Sequence, residues 1–497
     1  MRRLLAVAGL LTVATAVESA RSGEVLTNEA LYLFAAWKWW RPEFLAGDWT
    51  YAVPWREHAL FNATAGLLSL PLSLDVFKWV LRLAGWFAVY AGLLQLFRRI
   101  GIGWLAAVVA IVAWQVGGEA LVGGEWVIGG AEAKVPAYAA LFFALDQFIQ
   151  RRWLAAGLLL GLCFSLHPAV GVGAGVGVAA ALLVDRVPLG DLARAAMGTV
   201  LSSIPGLVAS LGVSQGAGAG GQRDWELVVR SRLPHHLDPF TFRWWGLVQI
   251  VCFLVLLALI VWRWRPAREI RMIGGFLAGA ALLFIAGVVA RALEAWAVLQ
   301  LYPFRILPLL LPCFVLAFLL DGVLRRDGPP GIRRAVAIAT AAALLIHLGR
   351  GERLIRGSPV PLAPTVATRP PPDPRDALAV AHWVRENAPR DALVLGAPSS
   401  KRAFWDYRRA QVVNWRALRY DRMHEWRERM EALAGPLPVD RPLSNAQIEE
   451  RFAALPVDSV LTLARRYGAT LLVSRTVYRL PTRFSAGEVR VYQLPEP

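Results

Sequence analysis

The chain has 497 residues, 56% of them hydrophobic and only 18% charged, where an ordinary soluble domain carries about 25% charged residues. Its net charge of +17 invites a nucleic-acid reading, but the basic residues fall in short connections between apolar blocks and no groove-reading motif accompanies them, so nucleic acid is excluded as a partner. Cys163, Cys252 and Cys313 lie inside apolar blocks, which excludes a disulfide framework or a CxxC metal site.

In chain order, Arg2-Arg3 precede the apolar run Leu4–Val17, which resembles a secretory signal. Cleavage after Ala20 would put Glu18 where a small residue is preferred, so an uncleaved first span is expected. The predicted spans cover 4–18, 74–97, 104–119, 134–150, 153–166, 169–185, 195–213, 244–262, 273–291, 300–320 and 332–349, about eleven in all. Basic pairs such as Arg98-Arg99, Arg151-Arg152, Arg325-Arg326 and Arg333-Arg334 alternate with them, so the positive-inside rule places the N-terminus inside and the C-terminus outside. The stretch His58–Leu72 is apolar but short, and reads as interfacial or re-entrant. A bias toward Arg, Ala, Gly, Pro and Trp with few Lys points to a GC-rich bacterium, hence its inner (cytoplasmic) membrane.

The expected class is therefore a polytopic α-helical membrane protein with a small extracytoplasmic α/β C-terminal domain. Residues 1–349 form the transmembrane domain, with external loops 19–73, 120–133 and 214–243. Residues 350–372 form a Pro-rich linker. Residues 373–497 form the α/β domain, with helices over Asp376–Asn387, Arg422–Leu433 and Val460–Tyr467. Its strands fall at Ala392–Leu395, Gln411–Trp415, Thr470–Ser474 and Val489–Leu494.

The external loops hold the candidate chemistry. The first carries Glu29, Asp48, Glu57 and His58 among Trp49, Trp55 and further tryptophans, where acids can act as bases beside a lipid-borne substrate, or simply decorate an interfacial helix with an aromatic belt. The second carries Gly123-Gly124-Glu125-Trp126, then Glu132 and Lys134 at the mouth of a span, as substrate contacts or as an ion pair. His167 ends span five, as a ligand or as a capping residue. The third loop has Arg232-Leu233-Pro234-His235-His236, plausible for phosphate or sugar. It is poor for metal, because neighbours on an extended chain point opposite ways. Arg305 stands at the start of span ten, to meet lipid phosphate or to snorkel. Gly171, Gly173, Gly175 and Gly177 read as helix packing rather than a nucleotide loop.

Together with Phe44-Leu45-Ala46-Gly47-Asp48-Trp49, Glu57-His58, Glu132-Ala133-Lys134, His167-Pro168, Tyr302-Pro303-Phe304-Arg305 and the run from Trp383 to Leu395, this organisation resembles the GT-C class of membrane glycosyltransferases and their bacterial relatives. The resemblance implies an inverting transfer from a polyprenyl-phosphate-linked sugar to an extracytoplasmic acceptor. It makes Asp48 the expected base, with Glu29 and Glu57 behind it. His58, Trp49, Trp55, Glu132, Lys134, His167, Arg232, His235, His236 and Arg305 become expected substrate contacts. It leaves a divalent metal ion open, because the doubled acidic motif of some members is missing. The alternative is a non-catalytic protein that binds lipid-linked glycans. A transporter fits less well, since no internal repeat is evident and the polar groups sit at span mouths.

Overall fold

A computed structural model describes residues 1–22, 28–217, 221–264, 267–324, 373–399 and 403–495. The expected span at 332–349 and the linker at 350–372 lie outside the described residues. Six helices are long and apolar enough to cross a membrane: Arg2–Ala20, Leu74–Arg99, Leu189–Leu211, Trp244–Trp262, Arg268–Ala292 and Ile306–Leu324. Trp104–Val116, Trp153–Leu166 and Pro168–Val184 are shorter apolar helices. The chain thus has the makeup of a multi-pass membrane protein.

The membrane half runs α1 (Arg2–Ser22), α2 (Glu29–Trp39), α3 (Ala59–Ser69), α4 (Leu74–Arg99), α5 (Trp104–Val116), α6 (Lys134–Ile149), α7 (Trp153–Leu166), α8 (Pro168–Val184) and α9 (Leu189–Ala217). Short turns α10 (Gln222–Glu226) and α11 (Pro234–Leu237) lead to α12 (Trp244–Trp264), α13 (Arg268–Ala292), α14 (Trp296–Leu299) and α15 (Ile306–Leu324). The 11 residues of α3 reach only about 16 Å at 1.5 Å per residue, half a hydrocarbon core.

Small residues let these helices close up. A Cβ on Gly157 would meet the Ala195 carbonyl at 2.1 Å, and one on Gly161 the Thr199 carbonyl at 2.2 Å, so α7 and α9 approach backbone to backbone. Gly173 packs against the Ile306 side chain and Gly177 against the Phe276 ring, whereas Gly175 faces open space. Val208, Leu211, Val251 and Trp262 lie exposed on the outward faces of α9 and α12, as lipid contact requires.

The basic end is tied by charge pairs to buried carboxylates. Asp146 on α6 takes Arg99 of α4 at 2.9 Å, and Asp185 after α8 takes Arg268 of α13 at 2.7 Å. The opposite end carries the long polar connections.

The C-terminal unit begins with α16 (Pro374–Asn387), β1 (Leu393–Gly396), α17 (Ala403–Tyr407) and β2 (Ala410–Gln411). It continues through α18 (Met423–Ala434), α19 (Asn445–Ala453), α20 (Val457–Tyr467), β3 (Leu471–Ser474), β4 (Thr482–Ala486) and β5 (Val489–Gln493). The sheet order is β2-β1-β3-β5-β4, with β1 parallel to β2 and β3, and β5 antiparallel to its neighbours. The strand expected over Gln411–Trp415 is shorter and earlier: after Gln411 the chain leaves the edge, and the Trp415 amide donates to the Pro398 carbonyl at 2.8 Å. Three elements were not anticipated, the short helix α17 among them. Ser444 and Gln447 form a capping box that starts α19. Strand β4 pairs through a turn at Gly487, whose φ of +50° and whose approach to Asp376 exclude a side chain.

Candidate functional site

The connection between α5 and α6 dips back into the bundle, and its backbone is held by buried acids. Glu119 accepts from the Val127 and Ile128 amides at 2.5 and 3.2 Å. Glu29 accepts from the Ala131 amide at 2.7 Å while Arg82 of α4 grips both its oxygens, at 2.6 and 2.5 Å. Glu29 is fully buried and spent on this bridge, so it pins α2, α4 and the connection together and has no oxygen left for a substrate.

The pinned connection delivers Glu125 to the centre of a polar cluster. Its carboxylate lies 2.7 Å from Lys134 Nζ and 2.9 Å from Arg305 Nε. Lys134 also reaches Glu132 at 3.4 Å and rests on the Trp126 ring, 3.6 Å from its centroid. Burial alone would raise the Glu125 carboxyl, but the Arg305 guanidinium and the Lys134 ammonium outweigh it and hold it below the usual range. For Glu132 burial wins against Lys134, and its carboxyl is raised. The pair foreseen at a helix mouth is thus a four-charge network, with Glu125 as its hub.

Arg305 extends the network to the histidines. Its Nη1 donates to His167 Nε2 at 3.2 Å. Because arginine only donates, that nitrogen is the acceptor and Nδ1 carries the proton, which leaves no lone pair there for the Val170 amide 3.4 Å away. His58 packs beside His167, with ring centroids 4.8 Å apart, and its Nδ1 is buried without a hydrogen-bond partner. Burial pushes the His58 imidazole down to about 3, so it is neutral. Tyr32 of α2 lies against His58, its phenol within the fields of Glu132, Arg305, Glu57 and Glu125.

The C-terminal unit covers this cluster. Tyr420 stacks on Trp225 at 5.8 Å and its hydroxyl meets that of Tyr302. Arg419, fully buried, donates to the Thr50 and Val53 carbonyls at 2.7 and 2.9 Å. Arg232 donates to the Trp415 carbonyl at 2.7 Å, so it serves the interface between the two halves. Phe34 stacks on Trp405 at 5.5 Å.

Asp48 belongs to the same seam. One oxygen accepts from the Thr50 amide and the other from the Gln411 amide, each at 2.8 Å, and the residue is 1% exposed. Burial lifts its carboxyl to about 6 against the pull of these amides. Both oxygens face backbone donors, a poor arrangement for a base that must reach a substrate hydroxyl. Trp49 is also covered, by the Arg422 and Arg429 guanidiniums at 4.8 and 5.5 Å from its ring.

Glu57 is the acid that stays available. It is half-buried, accepts a long 3.3 Å bond from the Tyr420 amide, and is raised by burial to about 7 against the pull of the Trp55 side chain and the nearby Arg419 charge. Two residues earlier, Trp55 lines a cleft of about 300 Å³ together with Trp39, Tyr51 and Lys38.

His235 and His236 stand on the helical turn α11, not on an extended chain, so their rings lie side by side, 4.2 Å apart. His236 Nδ1 contacts the Gly123 carbonyl at 2.5 Å, whereas His235 Nδ1 is buried without a hydrogen-bond partner, and burial lowers His235 to about 4. The cluster does not fit a divalent cation. Its acids are held by Lys134 and Arg305, and among the described residues no group of three or more His, Cys, Asp or Glu side chains converges.

Sequence reasoning missed Tyr32, Arg82, Arg419 and Tyr420. Arg82 had a signal, a charge inside a span, which asks for a partner. Arg419 and Tyr420 had none, since a charged stretch on a small domain reads as surface.

Residues 375–433 match a domain of unknown function (DUF6798). The match runs from α16 into α18 and includes Gln411, Trp415, Arg419 and Tyr420, the residues that seat the C-terminal unit on the cluster. No curated protein matches the chain.

Proposed function

We propose that the chain is a GT-C-type glycosyltransferase of a bacterial cytoplasmic membrane, with about eleven spans, N-terminus inside and C-terminal unit outside. It transfers a sugar from a polyprenyl-phosphate donor to an extracytoplasmic acceptor. The observation that carries the reading is Glu57, a carboxyl lifted to about 7 at the rim of a cluster that holds two buried cations. A base is most effective with a pKa near the working pH.

Glu57 takes the proton from an acceptor hydroxyl, whose oxygen attacks the anomeric carbon from the face opposite the phosphate. The new glycosidic bond forms as the bond from that carbon to the phosphate oxygen breaks, and the electron pair leaves with the polyprenyl phosphate. Arg305 and Lys134 stabilise the growing negative charge. Trp55 and Trp39 offer flat faces to the sugar or the first isoprene units. The neutral His58 donates or accepts a hydrogen bond with a sugar hydroxyl.

One observation favours a second reading. Both cations already share Glu125, which suits a binder of lipid-linked glycans that performs no transfer. The two readings separate in lipid nanodiscs supplied with a panel of polyprenyl-phosphate sugars, by following release of polyprenyl phosphate. Release that disappears in Glu57→Gln supports the transferase. Donor binding without release moves the assignment to the binder, and neither binding nor release removes both.

A further inference from the structure

The C-terminal unit has a cleft of its own, distinct from the cluster beneath it. The chain leaves β1 toward β2 on one side, and leaves β3 toward β5 on the other. Between the carboxyl ends of β1 and β3 the order therefore reverses, which is where open α/β sheets hold their ligands. A small cleft of about 90 Å³, open to solvent, lies at this position. Gly396, Tyr407, Gln411, Glu449, Phe452 and Arg475 are among the residues that line it.

Two of these residues carry donors without hydrogen-bond partners. Gln411 is 6% exposed, and its amide Nε2 is buried and makes no hydrogen bond. Arg475 has a side chain 9% exposed, and its Nε is likewise buried and makes no hydrogen bond. An unsatisfied buried donor costs about 1–3 kcal/mol, so two on one cleft point to an oxygen-rich ligand that completes them. The charge at the site narrows its class. Arg475 pairs with Glu449 at 3.5 Å and with Glu488, so one cation already faces two carboxylates and a further anion is repelled. Tyr407 and Phe452 add ring surface. Acceptor oxygens without charge, presented beside aromatic rings, are the hydroxyls of a sugar.

We infer that the C-terminal unit binds a neutral glycan in the cleft at the carboxyl ends of β1 and β3, held by Gln411 Nε2 and Arg475 Nε. The inference does not depend on transfer at the cluster: it names a second glycan site on the same chain.

The test uses the full chain in nanodiscs without lipid-linked donor. Fluorescent neutral trisaccharides of hexose and of N-acetylhexosamine are titrated beside a uronate trisaccharide, and amide exchange is followed at residues 393–397 and 473–477. The informative variant is Gln411→Leu, which keeps the backbone amide that Asp48 accepts and removes only the unpartnered donor. Its thermal midpoint should match or exceed that of the parent, while affinity for the neutral trisaccharide falls at least tenfold. Arg475→Lys, which keeps the charge between Glu449 and Glu488 but lacks Nε, should lose a similar factor and provides the readout should Gln411→Leu misfold. Binding of no neutral trisaccharide, equal binding by both variants, or preference for the uronate would each overturn the inference.

Discussion

The carboxylate of Asp48 accepts the backbone amide of Gln411 at 2.8 Å, joining the first polar segment to the edge of a sheet 363 residues later in the chain. The same carboxylate also holds the Thr50 amide. One acid therefore fixes both the shape of its own turn and the position of the covering unit.

Asp48→Ala leaves two buried amides without an acceptor, at about 1–3 kcal/mol each. The expected result is faster amide exchange at Thr50 and Gln411 and a lower unfolding midpoint for the C-terminal unit. Asp48→Asn keeps one acceptor oxygen and should lose about half as much. Loss of turnover in Asp48→Asn with unchanged exchange at Gln411 would instead return Asp48 to the role of base.

For Glu57, turnover and stability should run in opposite directions with pH. Its carboxyl rises from 4.5 to about 7 on folding, so between those values the folded chain holds the proton more tightly than the unfolded one. That contribution to stability is present at low pH and is lost as pH climbs through 7. A base works only deprotonated, so turnover climbs over the same interval. Glu57→Gln should flatten both profiles and lower turnover by about 10²–10⁴-fold.

Lys134→Met strips Glu125 and Glu132 of their shared cation in a buried setting. Breaking a buried pair from one side costs about 3–5 kcal/mol, so the thermal midpoint in detergent should drop sharply. Adding Glu132→Gln to Lys134→Met should recover part of the loss, because one uncompensated charge disappears. A midpoint equal to the parent's would show that the network contributes nothing to the fold.

Glycines in two helices should respond oppositely to alanine. Gly161→Ala drives a methyl group to 2.2 Å from the Thr199 carbonyl and must separate α7 from α9. Gly175→Ala meets nothing within 4 Å and should gain about 0.5–1 kcal/mol from helix propensity. Thermal midpoints of the two variants decide this directly.

These contrasts bear on what the sequence could disclose. Helix α7 runs over 153–166, as its apolar run predicts, because nothing competes with hydrocarbon for such a segment. The shortness of α5 was less visible. Its helix stops at Val116, before the expected 119, because Glu119 is drawn into the connection by Val127 and Ile128. The acids of the first segment looked alike in sequence, yet Glu29 binds Arg82, Asp48 binds two amides and Glu57 stays open. Only long-range partners separate them, and a linear reading assigns no such partners. His235 and His236 misled through an assumed extended backbone that is in fact a helical turn.

Tyr302 and Tyr420 meet above a cluster built largely from residues before 170, and Arg419 clasps carbonyls near residue 50. A ribosome therefore finishes the cluster's floor, at Arg305, before it makes the roof at Arg419 and Tyr420. Throughout that interval Glu57 and its neighbours stand uncovered, so a chain interrupted early is inserted but unfinished. Completeness of the cover is in effect a stamp that only a polypeptide extended past Tyr420 carries.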